Sequence, residues 1–137
     1  RQFFNFFHFM IDLDQGPCAI KRLRGCGCGN EYVSVTPEGD VYPCHQFVGK
    51  KEWIMGSVND LSLNTEIKDS FAKTTVYTKP ECRTCWAKFY CSGGCNANNL
   101  EYAGAIKKPY KLACDLEKKR LECAIMIKAA LADLEIE

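Results

Sequence analysis

Hydrophobic positions divide the chain into stretches of different period. Residues 3–13 are mostly apolar and aromatic, which reads as a buried strand closing at the turn cluster Asp14-Gln15-Gly16-Pro17. Residues 18–29 are rich in glycine and cysteine and predict irregular backbone. Over residues 31–36, Tyr32 and Ser34 alternate with Val33 and Val35, the two-residue period of a strand. Pro37-Glu38-Gly39 predicts the hairpin turn: proline presets one φ angle and Gly39 supplies a positive one. The return strand over 40–42 then delivers Cys44 to the open end of the hairpin. Residues 51–58 are a further candidate strand. Asn64 is placed to cap a helix reaching Lys73, with Ile67 and Phe71 on its buried edge. Residues 81–105 are expected to hold little regular structure. Residues 111–134 predict one long amphipathic helix. Leu121 and Ile125 form one apolar row, and Ala124, Ile127, Leu131 and Leu134 form another. Glu117, Lys118, Lys119 and Glu122 supply its solvated face. The fold class expected is α+β: a small hairpin-based sheet, irregular cysteine-rich loops and a long C-terminal helix.

Length and charge narrow the function. The 137 residues suffice for one domain with a buried core. Eighteen basic and 17 acidic residues leave a formal charge of +1, so electrostatics give no case for a nucleic-acid or membrane partner. The apolar stretch 3–13 is too short to span a bilayer and lacks the cationic start and cleavage site of a signal peptide. A cytoplasmic location is therefore expected. The chain opens on Arg1, as expected of a fragment of a longer protein. No paired carboxylates, nucleophile triad or phosphate loop stand out.

Cysteine carries the chemistry. There are ten, and four of them read C-x2-C-x5-C-x3-C: Cys82, Cys85, Cys91 and Cys95. Soft thiolates at such spacing select zinc, copper(I) or iron–sulfur clusters. A C-x2-C pair lets two sulfurs on one tight loop face one centre, and Ser92-Gly93-Gly94 lets the chain curl between Cys91 and Cys95. Trp86, Phe89 and Tyr90 are interleaved with these thiols, suited to local packing and to excluding water. A disulfide scaffold fits poorly, because the chain needs no staples and the cysteines are clustered. A structural zinc site would favour two well-separated C-x2-C knuckles, and only one is present. Closely spaced cysteines with a distant partner are nearer to iron–sulfur usage.

The wider layout is C-x12-G-x4-C from Cys26 through Gly39 to Cys44, then the four-cysteine block, then Cys114. It resembles the SPASM domain, the C-terminal auxiliary-cluster domain of certain radical S-adenosylmethionine enzymes. The runs Gly25-Cys26-Gly27-Cys28-Gly29 and Tyr42-Pro43-Cys44-His45-Gln46-Phe47 resemble one subgroup more closely, the SCIFF maturases, which install thioether crosslinks in a cysteine-rich ribosomal peptide.

The resemblance implies two [4Fe–4S] clusters. Cys82, Cys85, Cys91 and Cys114 would hold the outer one; Cys26, Cys44 and Cys95 would hold the inner one. The fourth inner position would be filled by Cys18 or Cys28, left open, or taken by a substrate thiolate. The implied roles are electron transfer and substrate positioning, and the implied partners are a cysteine-rich precursor peptide and a radical S-adenosylmethionine barrel of the same parent chain. No C-x3-C-x2-C loop occurs, so S-adenosylmethionine would bind only in that missing domain, and this chain alone should not cleave it. Residues 1–17 would be the end of the barrel or its connection, and 18–137 the auxiliary-cluster domain. Zinc is a substitute expected in an air-exposed sample. Cys123 reads as an inert helix thiol, His45 as a strand-end residue with a possible bond to a sulfur, and His8 as structural.

Overall fold

A computed structural model describes residue 9, residues 11–12 and residues 15–134 of the chain. His8 and most of the strand expected over 3–13 lie outside the described residues. The architecture is α+β: a small antiparallel sheet, four short helices and one long one.

The sheet has strand order β1-β2-β3-β4, with β1 Ser34–Val35, β2 Asp40–Tyr42, β3 Gly56–Ser57 and β4 Ser62–Leu63. The predicted hairpin forms around Gly39, whose φ is 97° and whose amide bonds back to the Thr36 carbonyl at 2.9 Å. Its ladder pairs Ser34 with Tyr42 and Val35 with Val41. The strand expected over 51–58 is a correction. Lys51–Trp53 winds into a 3-10 turn instead, and only Gly56–Ser57 joins the sheet. Packing explains it, because the turn swings Trp53 onto Phe47 and Phe71, with ring centroids 5.0 and 5.6 Å away. Phe47 and Phe71 also meet edge to face at 5.5 Å. These rings anchor a core that includes Tyr42, Cys28 and Cys44.

Helix α1, Thr65–Ala72, starts where expected. The Asn64 side chain accepts from the amides of Glu66 and Ile67, at 3.0 and 3.2 Å, and so satisfies two orphan donors of the first turn. The sparse structure expected over 81–105 is also corrected. Three helices occur there: α2 Pro80–Arg83, α3 Lys88–Cys91 and α4 Asn96–Ala103. Pro80 opens α2 at a position that needs no amide donor. Helix α4 is rich in asparagine, a weak helix former, and tertiary bonds compensate. Asn99 is buried; its side chain donates to the Gly93 and Ile106 carbonyls and accepts from the Tyr110 amide.

Helix α5 spans Lys111–Leu134, the full predicted length. Its apolar rows are only partly covered. Leu121 and Ala124 are buried and Ile127 half-buried, while Ile125 and Leu131 are exposed. Of the polar face, Glu117 and Lys118 are half-buried. No helix among the described residues is long and apolar enough to cross a membrane.

Candidate metal centre

All ten cysteines are free thiols, and they fall into two groups with two outliers. The first group stands around one cavity of about 340 Å³. Cys82 comes from α2, Cys85 from the turn after it, Cys91 from the last position of α3 and Cys114 from the first turns of α5. Chain geometry brings them there. The amides of Cys82 and Cys85 bond to the carbonyls of Lys79 and Cys82, a coil tight enough to aim both sulfurs inward. Beyond α3 the backbone reverses through Ser92, Gly93 and Gly94, with φ of 58°, 83° and 73°. Left-handed residues in succession suit glycine, and Ser92 takes that conformation at a cost of roughly 1–2 kcal/mol. Its buried hydroxyl oxygen has no hydrogen-bond partner.

The electrostatics follow from crowding thiols under cover. Burial pushes the Cys82 thiol up to about 11, with Lys79 opposing and Cys91, Cys114 and Cys85 reinforcing it. Burial and then Glu117 raise Cys91; burial and then Cys85 raise Cys114. Such thiols stay protonated unless a cation exchanges for the proton. Lys88, Lys108, Lys111 and Lys118 rim the same cavity together with Glu81 and Glu117, a border of mixed sign with an excess of cations.

The second group forms at the hairpin's open end. The Gly29 amide lies within bonding distance of both the Pro43 and Tyr32 carbonyls, at 2.9 and 3.0 Å, which ties the Cys26–Cys28 loop beside Cys44. Burial pushes the Cys28 thiol up to about 12, with Cys26 and Cys44 adding to it. Burial raises Cys44 too, and Cys95 and Cys26 act in the same direction. Cys95 stands just before α4 and accepts a hydrogen bond from Gln46 at 3.7 Å. Tyr32 donates to Cys26 at 3.6 Å, and Asn96 donates to Cys28 at 3.7 Å.

Cys18 is exposed and lies in a different depression with Lys21, Arg22 and Tyr90. Cys123 is half-buried on α5 and lines neither cavity beside Cys114. Trp86 is 53% exposed, so it shields less than expected. His45 is exposed and begins a 3-10 turn.

The donor set suits a multi-iron centre. Among the described residues no three His, Cys, Asp or Glu side chains converge closely enough for a single metal ion. Cys82, Cys85, Cys91 and Cys114 instead border a cavity of about 340 Å³, room for a group larger than one ion. Cys82, Cys85, Cys91 and Cys114 would hold such a group. Asn96 and Lys79 have no signal in the sequence, and Tyr32 and Gln46 read there only as strand and motif positions, not as donors to sulfur. A single Lys before Pro80, or an Asn inside a weak helix, carries no spacing signal.

Residues 26–86 match the model of the SPASM family, an iron–sulfur cluster-binding domain. The matched segment holds Cys26, Cys28, Cys44, Cys82 and Cys85, so an iron–sulfur-binding signature covers much of both groups. No curated protein matches the chain.

Proposed function

We propose that this chain is the auxiliary-cluster domain of a radical S-adenosylmethionine enzyme that installs thioether crosslinks in a cysteine-rich ribosomal peptide. The observation that carries the reading is the single cavity bordered by Cys82, Cys85, Cys91 and Cys114, which arrive from separate elements. The match over residues 26–86 supports the iron–sulfur part. The subgroup and its peptide rest on the resemblance of the Cys26–Cys28 and Tyr42–Phe47 runs.

In this reading the four cavity thiols hold an outer [4Fe–4S] cluster, and Cys26, Cys44, Cys95 and Cys28 hold an inner one. Cys28 is favoured over Cys18 because it is buried and electrostatically joined to Cys26 and Cys44. A fourth protein thiol favours electron transfer over capture of a substrate thiol at an open iron. When bound, such clusters supply one-electron transfer at a potential set by their surroundings. The protein's own part is to exclude water with the Phe47 core, donate to sulfur from Tyr32, Gln46 and Asn96, and fix the loops. The parent barrel and the precursor peptide are the proposed partners, in a reducing cytoplasm.

Anaerobic reconstitution tests this. Two cysteine-ligated clusters give roughly eight iron and eight sulfide per chain. Cys114→Ala should retain about half of that, and Cys18→Ala all of it. A folded, oxygen-free sample that takes up neither iron nor sulfide sinks the proposal. Full loading in a Cys28→Ala variant with an unchanged inner-cluster spectrum removes Cys28 from the ligand set. In the parent enzyme, crosslinking of a cysteine-rich peptide should fall with Cys114→Ala.

A further inference from the structure

Lys79 is the one charged side chain buried among the described residues, at 1% exposure. It sits just before the proline that opens α2. Its ammonium donates to the Gly93 carbonyl at 2.7 Å and to Asn96 Oδ1 at 2.9 Å. Among the described residues no carboxylate pairs with it. A buried ammonium with only neutral acceptors is costly, so a compensating negative charge is expected nearby.

The two acceptors show where that charge belongs. Gly93 lies in the reversal between Cys91 of the first thiol group and Cys95 of the second. Asn96 uses its amide nitrogen on Cys28. A lysine can only donate, so its contact fixes the carboxamide with oxygen toward Lys79 and nitrogen toward the sulfur. Burial lowers the Lys79 pKa, while Cys82, Cys91, Cys28 and Cys95, two from each group, act against that. The cation therefore stands between the two sets of sulfurs.

We propose that Lys79, together with Asn96, is a positioning cation shared by the two cysteine groups: its charge raises the potentials of both centres, and its bond to Asn96 holds a hydrogen-bond donor on Cys28. The inference rests on the cluster reading given above. Reduction adds negative charge to a centre already carrying thiolates. A fixed cation beside it favours the reduced form, and donors to the sulfurs act in the same sense.

The test uses the anaerobically reconstituted chain with iron and sulfide analysis, followed by a potentiometric titration read by electron paramagnetic resonance. Lys79→Met keeps the length of the side chain and removes its charge. It should load iron and sulfide as the unaltered chain does, with reduction at least tenfold less favourable at both centres. That is about 59 mV or more to the negative side for a one-electron couple. Asn96→Asp keeps an acceptor for Lys79 but removes the donor to Cys28; it should lower the potential of the centre at Cys28 more than the other. A midpoint left unmoved at either centre in a loaded Lys79→Met overturns the inference. If that variant does not load, Asn96→Asp decides: a selective drop supports the inference and an unmoved midpoint, or failure to load as well, overturns it. An unaltered chain that binds neither iron nor sulfide instead defeats the cluster reading itself.

Discussion

At the scale of single residues, Phe47 links the folded core to the chemistry. It is fully buried, touches Trp53 and Phe71, and follows Cys44 by one 3-10 turn. The same core contains Cys28 and Cys44, with Cys95 packed against it. The ring thus shares one buried cluster with the thiols of Cys28 and Cys44. Truncation to Phe47→Ala should cost about 3–5 kcal/mol, the usual range for a buried aromatic. Urea denaturation of the reconstituted chain would read that loss. The spectrum of the inner centre should broaden or fade while that of the outer centre persists. Equal damage to both would show that the core does not support the inner group selectively. The sequence exposes the thiols readily, because their spacing is itself the signal. It hides their partners, since Tyr32, Gln46 and Asn96 reach sulfur only after distant loops meet.

At the scale of elements, what could be read in advance depended on whether the cause was local. Asn64 caps α1 through bonds to residues two and three positions ahead, so the sequence alone reveals it. The turn at Gly39 and the length of α5 are readable for the same reason. Helix α4 is not, because its eight residues NANNLEYA have weak propensity and weak periodicity. Its support comes from the burial of Asn99 and from Gly104, which ends it in a left-handed conformation at φ 83°. The 51–58 strand failed because Trp53 gains more from the aromatic cluster than from a ladder position. The cap offers a direct measurement: Asn64→Ala should destabilise the chain by about 1 kcal/mol. The urea midpoint should move down with the slope unchanged, and Asn64→Asp should restore most of the loss. No change on Asn64→Ala would mean that packing of Phe71, and not the cap, defines where α1 begins.

At the scale of the whole molecule, regular structure is too slight to hold the two halves together alone. The strands have two or three residues, and α2 and α3 have four each. The sheet and α1 share the Phe47 core, but α5 meets the α2–α3 segment across the cavity that Cys82, Cys85, Cys91 and Cys114 border. Interiors are normally close-packed, so a group held in the thiol-lined cavity at that junction would be part of the packing. Binding that requires the folded thiol arrangement adds its free energy to folding. Removing metal with a chelator under anaerobic conditions should therefore loosen α5 first. A loss of about 3 kcal/mol would lower Tm by roughly 10 °C for a chain of this size. Hydrogen exchange should show α5 amides losing protection, from Cys114 through Ala124, while those of β2 and α1 keep theirs. Cys114→Ser should reproduce the pattern with metal still present at the other group. Uniform loss of protection across α1, β2 and α5 on chelation would mean instead that both groups stabilise one cooperative unit, and that the outer thiols have no separate hold on the C-terminal helix.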